Sequence, residues 1–274
     1  METAVDFAVG SERLKGVLHT PEKCPASGNA GIVFLHGWSG CRLGPHRMFV
    51  HAARRFAGLG FPCLRFDFRG RGESGGATRD TTIPTMIDDA IAAIDVLQKH
   101  AGTPRVILAG ICSGAKVAIG TAAGERSVDG LILWSAEMIG PLRSGAADRQ
   151  QTLSALRGYA AKLTQAATWR KLVTGRANWR LVRKAVLHEE SPTDAETANE
   201  APILDRFARY KGKVLFVYGT TDPDAALSLN RYKAFCRTAG MRSEFHEVAE
   251  ANHNFSSLAW EEEALTITGQ WLSA

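Results

Sequence analysis

The chain has 274 residues, 45% of them hydrophobic, which is enough to bury a substantial core as one domain plus an insertion. No apolar run approaches the length of a membrane span. Lys and Arg exceed Asp and Glu by only five, and five cysteines at positions 24, 41, 63, 112 and 236 show neither metal-pair spacing nor an even disulfide framework. These numbers point away from membrane, disulfide-scaffold and zinc-site proteins, and the cysteine usage fits a reducing cytoplasm.

The N-terminus, Met1-Glu2-Thr3-Ala4-Val5-Asp6-Phe7, has acids and alternation where a secretory signal would need a basic patch and an apolar block. It is expected to form a first strand. Further strands are expected over 12–19, 30–35, 62–66, 105–109, 130–134, 213–218 and 242–248. Helices are expected near 45–58, 83–100, 114–124, 224–239 and 257–272. Such alternation predicts an α/β protein with a mostly parallel central sheet covered by helices on both faces.

The strand ending at Leu35 runs into His36-Gly37-Trp38-Ser39-Gly40. Glycine at a strand end lets the chain turn so that the next backbone N–H faces a site, which makes the Trp38 N–H a candidate oxyanion donor. His36, placed directly after a buried strand, is read as fixing loop geometry rather than as a base. Gly70-Arg71-Gly72-Glu73-Ser74-Gly75 fits a dinucleotide-binding pattern after a strand. Gly76, Thr78, Thr81, Thr82 and Pro84 follow it, so no helix opens at the third glycine and the stretch reads as a turn-rich loop.

The most informative stretch is Leu108-Ala109-Gly110-Ile111-Cys112-Ser113-Gly114-Ala115, between an apolar strand and a helix of small residues. Glycines at minus two and plus two from Cys112 match a sharp strand-to-helix elbow, where side chains would collide as the backbone folds back. Centring the elbow on Ser113 instead would put Ile111 and Ala115 at the close-approach positions, and a branched Ile fits poorly there. Cys112 is therefore the expected nucleophile, and the Ser113 N–H the second oxyanion donor.

Downstream, the strand Lys213-Val214-Leu215-Phe216-Val217-Tyr218 leads to Gly219-Thr220-Thr221-Asp222-Pro223-Asp224. That places an acid just past a strand end. The strand at 243–248 leads to Ala249-Glu250-Ala251-Asn252-His253, which supplies a base in a loop. Asp222 is the expected acid, with Asp224 and Glu137, past the strand Leu131–Trp134, as alternatives.

Between Pro141 and about Ala201 the pattern changes to helices without strands, so 1–140 and 201–274 are read as the core and 141–200 as a helical lid. From Pro141 to His188 there are ten Lys or Arg residues and one acid, Asp148, which leaves the remainder net acidic. With Trp169 and Trp179 interleaved, this segment suits an anionic substrate, an acyl-carrier partner or a membrane surface, with a solvated amphipathic face as the alternative. Basic residues confined to a lid, without a recognised motif, argue against nucleic acid.

In the order strand-His36-Gly37, Phe66–Ser74, elbow, Asp222, His253, these pieces resemble the α/β-hydrolase superfamily over nearly the whole chain. The cysteine elbow is similar to that of the dienelactone hydrolases, and with Gly44-Pro45-His46-Arg47 it resembles hydrolases encoded beside bacterial exosortase and exopolysaccharide systems. The resemblance implies an α/β-hydrolase fold and a Cys112-His253-Asp222 triad that needs no cofactor or metal. The expected activity is hydrolysis of an activated ester, lactone or thioester through a thioester acyl-enzyme. An acyltransferase using the same triad, or a catalytically silent carrier- or polymer-binding protein, are the alternatives.

Overall fold

A computed structural model describes residues 1–22, 30–125, 127–143 and 194–274. The chain divides into two units, Met1–Met138 with Ile203–Ala274, and Ile139–Pro202. The expected helices at 152–157 and 178–184, and the basic residues from Arg149 to Lys184, lie outside the described residues.

The strands are β1 (Glu2–Val9), β2 (Glu12–His19), β3 (Gly31–Leu35), β4 (Cys63–Phe66), β5 (Val106–Ile111), β6 (Val128–Trp134), β7 (Lys213–Gly219) and β8 (Ser243–Val248). The α-helices are α1 (Met48–Gly58), α2 (Ile83–Ala101), α3 (Ser113–Ala122), α4 (Gly140–Arg143), α5 (Asp194–Phe207), α6 (Ala225–Thr238) and α7 (Leu258–Ser273). The sheet order is β1-β2-β4-β3-β5-β6-β7-β8. β1 and β2 pair antiparallel, as do β2 and β4, and every other pairing is parallel. This is the expected α/β architecture, with the parallel strands reading as near-continuous apolar runs because both faces are covered.

Period-two alternation divides those runs between the faces. Ile32 and Phe34 of β3, Ile107, Ala109 and Ile111 of β5, Ile132 and Trp134 of β6, and Leu215 and Val217 of β7 share one core layer. That layer also holds Phe49 and Phe56 of α1 and Leu265 and Trp271 of α7. The alternate residues take the other face, where Phe216 of β7 meets Tyr232 of α6 with ring centroids 4.9 Å apart.

One helix start differs from expectation, and the 70–76 loop before α2 is as expected. The helix expected from 45 begins as a 3-10 turn at Pro45–Arg47, with His46 at φ 50° and Arg47 at φ 70°, and becomes α-helical at Met48. Left-handed backbone at His46 and Arg47 cannot continue a right-handed helix, so the regular helix starts only at Met48. The 70–76 stretch is a loop with Gly70, Gly72 and Gly76 at positive φ, and α2 opens only at Ile83 behind a Thr82–Thr85 capping box.

Candidate active site

The site lies at the carboxyl ends of β3, β5, β6, β7 and β8, where open α/β sheets place their ligands. Between β5 and α3, Cys112 adopts φ 57°, ψ −125°, a region that costs a non-glycine residue about 1–3 kcal/mol. The flanking glycines make this possible. A Cβ on Gly110 would come 2.4 Å from the Gly114 carbonyl oxygen, and one on Gly114 would come 2.1 Å from that of Leu35. The elbow thus presses the start of α3 against the end of β3, and the Cys112 side chain is left partly exposed.

His253 and Asp222 arrive from separate loops that are fastened to each other. Gly219 packs so closely on the 251–252 backbone that a Cβ would lie 2.3 Å from the Ala251 oxygen. The Thr221 N–H and hydroxyl both donate to that oxygen, each at 2.9 Å. The Asn252 side chain accepts from the Asn254 and Ser256 N–H groups and so shapes the turn that carries His253. As a result His253 Nδ1 lies 2.7 Å from Asp222 Oδ2, and Asp222 is buried. The Cys112 side chain also interacts with the imidazole. The bonds to Asp222 and then to Cys112 outweigh burial and raise the His253 pKa to about 10.

Of the two alternative acids, Asp224 stays away from the imidazole; its N–H donates to the other Asp222 oxygen at 3.2 Å, and it precedes α6. Glu137 comes close, but to the sulfur. Cys112 Sγ donates to Glu137 Oε1 at 3.0 Å, while Glu137 Oε2 lies 3.5 Å from the buried Lys116 ammonium of α3. The turn carrying Glu137 is built by its surroundings. Ser135 adopts φ 44° and its N–H donates to the Val217 carbonyl at 2.8 Å. The Tyr218 hydroxyl donates to the Ala136 oxygen at 3.1 Å, and the Tyr232 hydroxyl to the Glu137 oxygen at 2.7 Å.

The Trp38 N–H donates to Ser113 Oγ at 2.7 Å, so in the free enzyme it is turned toward the elbow. The Ser113 N–H belongs to the first residue of α3, where helix N–H groups have no intrahelical acceptor. Behind the loop, burial lowers the His36 pKa to about 4. Its Nδ1–H donates to the Gly37 oxygen at 2.8 Å and its Nε2 accepts from the Phe68 N–H at 3.2 Å. Both ring nitrogens are used on backbone, which fits the loop-fixing reading. The buried Asp67 carboxylate accepts from the Arg42 side chain, from the Arg42 N–H at 2.5 Å and from the Glu73 N–H at 3.0 Å. Arg69 donates from its backbone and side chain to Asp89. The Phe66–Ser74 run is therefore a scaffold beneath the His36-Trp38 turn.

Sequence reasoning missed Lys116, Tyr218 and Tyr232. A signal existed for Lys116, a lone charge in a helix of small apolar residues. None existed for the tyrosines, whose partners lie 82 and 95 residues away.

A strand-to-helix elbow after β5, the His36-Gly37 turn after β3 and the Asp222–His253 pair on this topology are the features of the α/β-hydrolase class. The model describing the alpha/beta hydrolase family matches residues 32–265, and the chain belongs to that family. It is 37% identical over 107 residues to the AB hydrolase superfamily protein YisY of Bacillus subtilis. That match covers 38% of this chain and 37% of YisY, so it spans little more than a third of the relative's length. An esterase of Pyrococcus furiosus superposes with a TM-score of 0.67 at 18% identity, over 100% of this chain and 91% of the esterase. A dienelactone hydrolase from Anabaena variabilis superposes with a TM-score of 0.65 at 14% identity, over 100% and 97%. At these identities the likeness concerns the fold.

Proposed function

We propose that the protein cleaves activated acyl compounds through Cys112, with His253 as its acid–base partner and Asp222 orienting the imidazole. The observation that carries this reading is the His253–Asp222 hydrogen bond beside an elbow that leaves Cys112 partly exposed and interacting with the imidazole. Once the thiol hydrogen swings from Glu137 toward a neutral His253, its proton passes to the imidazole as sulfur attacks the acyl carbon. The tetrahedral oxyanion is held by the Ser113 N–H, and by the Trp38 N–H once the Ser113 hydroxyl rotates away from it. Collapse yields a thioester acyl-enzyme, which water or another acceptor resolves.

Sulfur limits the substrate. A thiolate leaves more readily than an alkoxide, so the tetrahedral intermediate expels Cys112 again unless the substrate departs as an enolate, phenolate or thiolate. Lactones of enols, aryl esters and thioesters are thus favoured over amides and plain alkyl esters, in keeping with esterase and dienelactone hydrolase among the structural neighbours. The ten basic residues between Pro141 and His188 support an anionic or carrier-bound donor. For such a donor kcat/KM should fall as ionic strength rises, while a neutral donor responds little. Charge reversal at Arg180, Arg183 and Lys184 should reproduce the effect of salt.

The deciding experiment is intact-protein mass spectrometry after mixing with an aryl ester. A single acyl adduct mapping to Cys112, absent from Cys112→Ala, supports the reading. Turnover by Cys112→Ala at the wild-type rate would remove the nucleophile. A folded protein that neither turns over nor labels selectively at Cys112 would favour the carrier- or polymer-binding alternative.

A further inference from the structure

The carboxylate on the nucleophile is unused in the reaction just described. Glu137 Oε1 accepts a hydrogen bond from the Cys112 thiol, 3.0 Å from Sγ, Lys116 lies against Oε2, and the side chain remains one-third exposed. The Ser135 backbone and the Tyr218 and Tyr232 hydroxyls fix the turn behind it. Acylation changes what this carboxylate can do. A thioester sulfur has no proton to donate, so Oε1 loses its partner while Lys116 stays in place. The acyl carbon is then one bond from the sulfur that Oε1 had faced, which leaves the carboxylate beside the carbon that the second nucleophile must reach.

Resting on the Cys112 reading above, we propose that Glu137 is the base of the second half-reaction: it takes the proton of the water or acceptor that attacks the thioester. The departing groups that suit a sulfur nucleophile leave this task open. Phenolates, enolates and thiolates depart as anions and draw no proton from His253, which keeps the one it took from the thiol. An imidazolium cannot accept another.

The steps balance as follows. In the first half the Sγ–acyl bond forms and the bond to the leaving group breaks, its electron pair leaving with the anion. In the second, the water oxygen bonds to the acyl carbon and one water proton moves to Oε1. The carbon–sulfur bond then breaks, its electrons return to Sγ, and Glu137 hands its proton back to sulfur. His253 releases its own proton to the departed anion or to solvent. The resting Sγ–H···Oε1 contact is restored.

The test separates the two half-reactions by stopped-flow release of 4-nitrophenol from 4-nitrophenyl acetate, with quenched samples weighed by mass spectrometry. Glu137→Gln should retain the release burst within a few-fold of wild type. Its Cys112 adduct should persist, with deacylation slowed on the order of 100-fold. Hydroxylamine, which attacks thioesters without a base, should discharge the Glu137→Gln adduct at close to the rate it gives with wild type. Glu137→Asp, retaining a carboxylate one methylene shorter, should fall between. Deacylation of Glu137→Gln at the wild-type rate, or a burst slowed as much as deacylation, overturns the proposal and leaves the triad reading intact. Absence of any Cys112 adduct, in wild type as in the variants, overturns both.

Discussion

The carboxyl ends of β5 and β6 solve one problem in two ways. Each strand ends in a non-glycine residue at positive φ, Cys112 at 57° and Ser135 at 44°, and each such turn positions a group at the sulfur. At Cys112 the constraint is local: glycines two residues away on either side let backbone meet backbone. At Ser135 the constraint is remote, since the Val217 carbonyl, Tyr218 and Tyr232 all belong to later parts of the chain. A turn fixed by its own neighbours is sensitive to substitutions beside it. A turn fixed by distant side chains is sensitive to substitutions far from it in sequence.

Breaking the elbow should have the largest effect. Gly114→Ala drives a methyl into the Leu35 backbone, and neither partner is a side chain that can swing aside. A loss above about 3 kcal/mol, or failure to fold, is expected in urea denaturation. Cys112→Ala isolates the chemistry from the architecture. It should fold with wild-type stability to within about 1 kcal/mol and lose turnover of an aryl ester, read by product release.

The buried histidine behind the Gly37-Trp38 turn gives the next effect. Because burial holds the folded-state pKa of His36 at about 4, below the value near 6.5 of an unfolded chain, only the unfolded state gains a proton between these values. The stability from a neutral His36 is thus fully present above pH 6.5 and is lost as pH falls toward 4. The loss is about 3 kcal/mol, to be read from melting temperature against pH, and His36→Gln should flatten that slope. His253 has the opposite sign. Its raised pKa gives stability that is complete below pH 6.5 and disappears as pH climbs through about 10, and Asp222→Asn should abolish this dependence.

The β6 turn should respond more gently and from farther away. Tyr232→Phe removes one hydroxyl donor to the Glu137 carbonyl and should cost about 1 kcal/mol, while slowing turnover more than it changes KM. Ser135→Gly should raise stability by about 1 kcal/mol, because it relieves a left-handed φ and removes a buried hydroxyl with no partner among the described residues. A destabilised Ser135→Gly would mean that this turn, like the elbow, is held by its own residues.

What could be read beforehand follows the same division. Strand alternation, the Gly110–Gly114 spacing, and the Asp222 and His253 positions after apolar strands depend on residues within a few places of one another, so the sequence displays them. The meeting of Asp222 with His253 depends on chain order along a parallel sheet, which the strand pattern also implies. The early end of α3 and the 3-10 start at Pro45 were displaced by only a residue or three, because capping and proline geometry blur boundaries.

The tertiary structure alone decided which neighbour each acid serves. Asp222, Asp224 and Glu137 all follow β-strands and are alike as sequence, yet one meets the imidazole, one caps the others' loop through its backbone, and one meets the sulfur. That choice rests on contacts across the sheet, among them the close approach of Gly219 to Ala251 and the phenols of Tyr218 and Tyr232 on the β6 turn. Hydrogen bonds between residues 82 and 95 places apart leave no periodicity for a sequence to show, because they exist only once the strands have paired and the helices have packed.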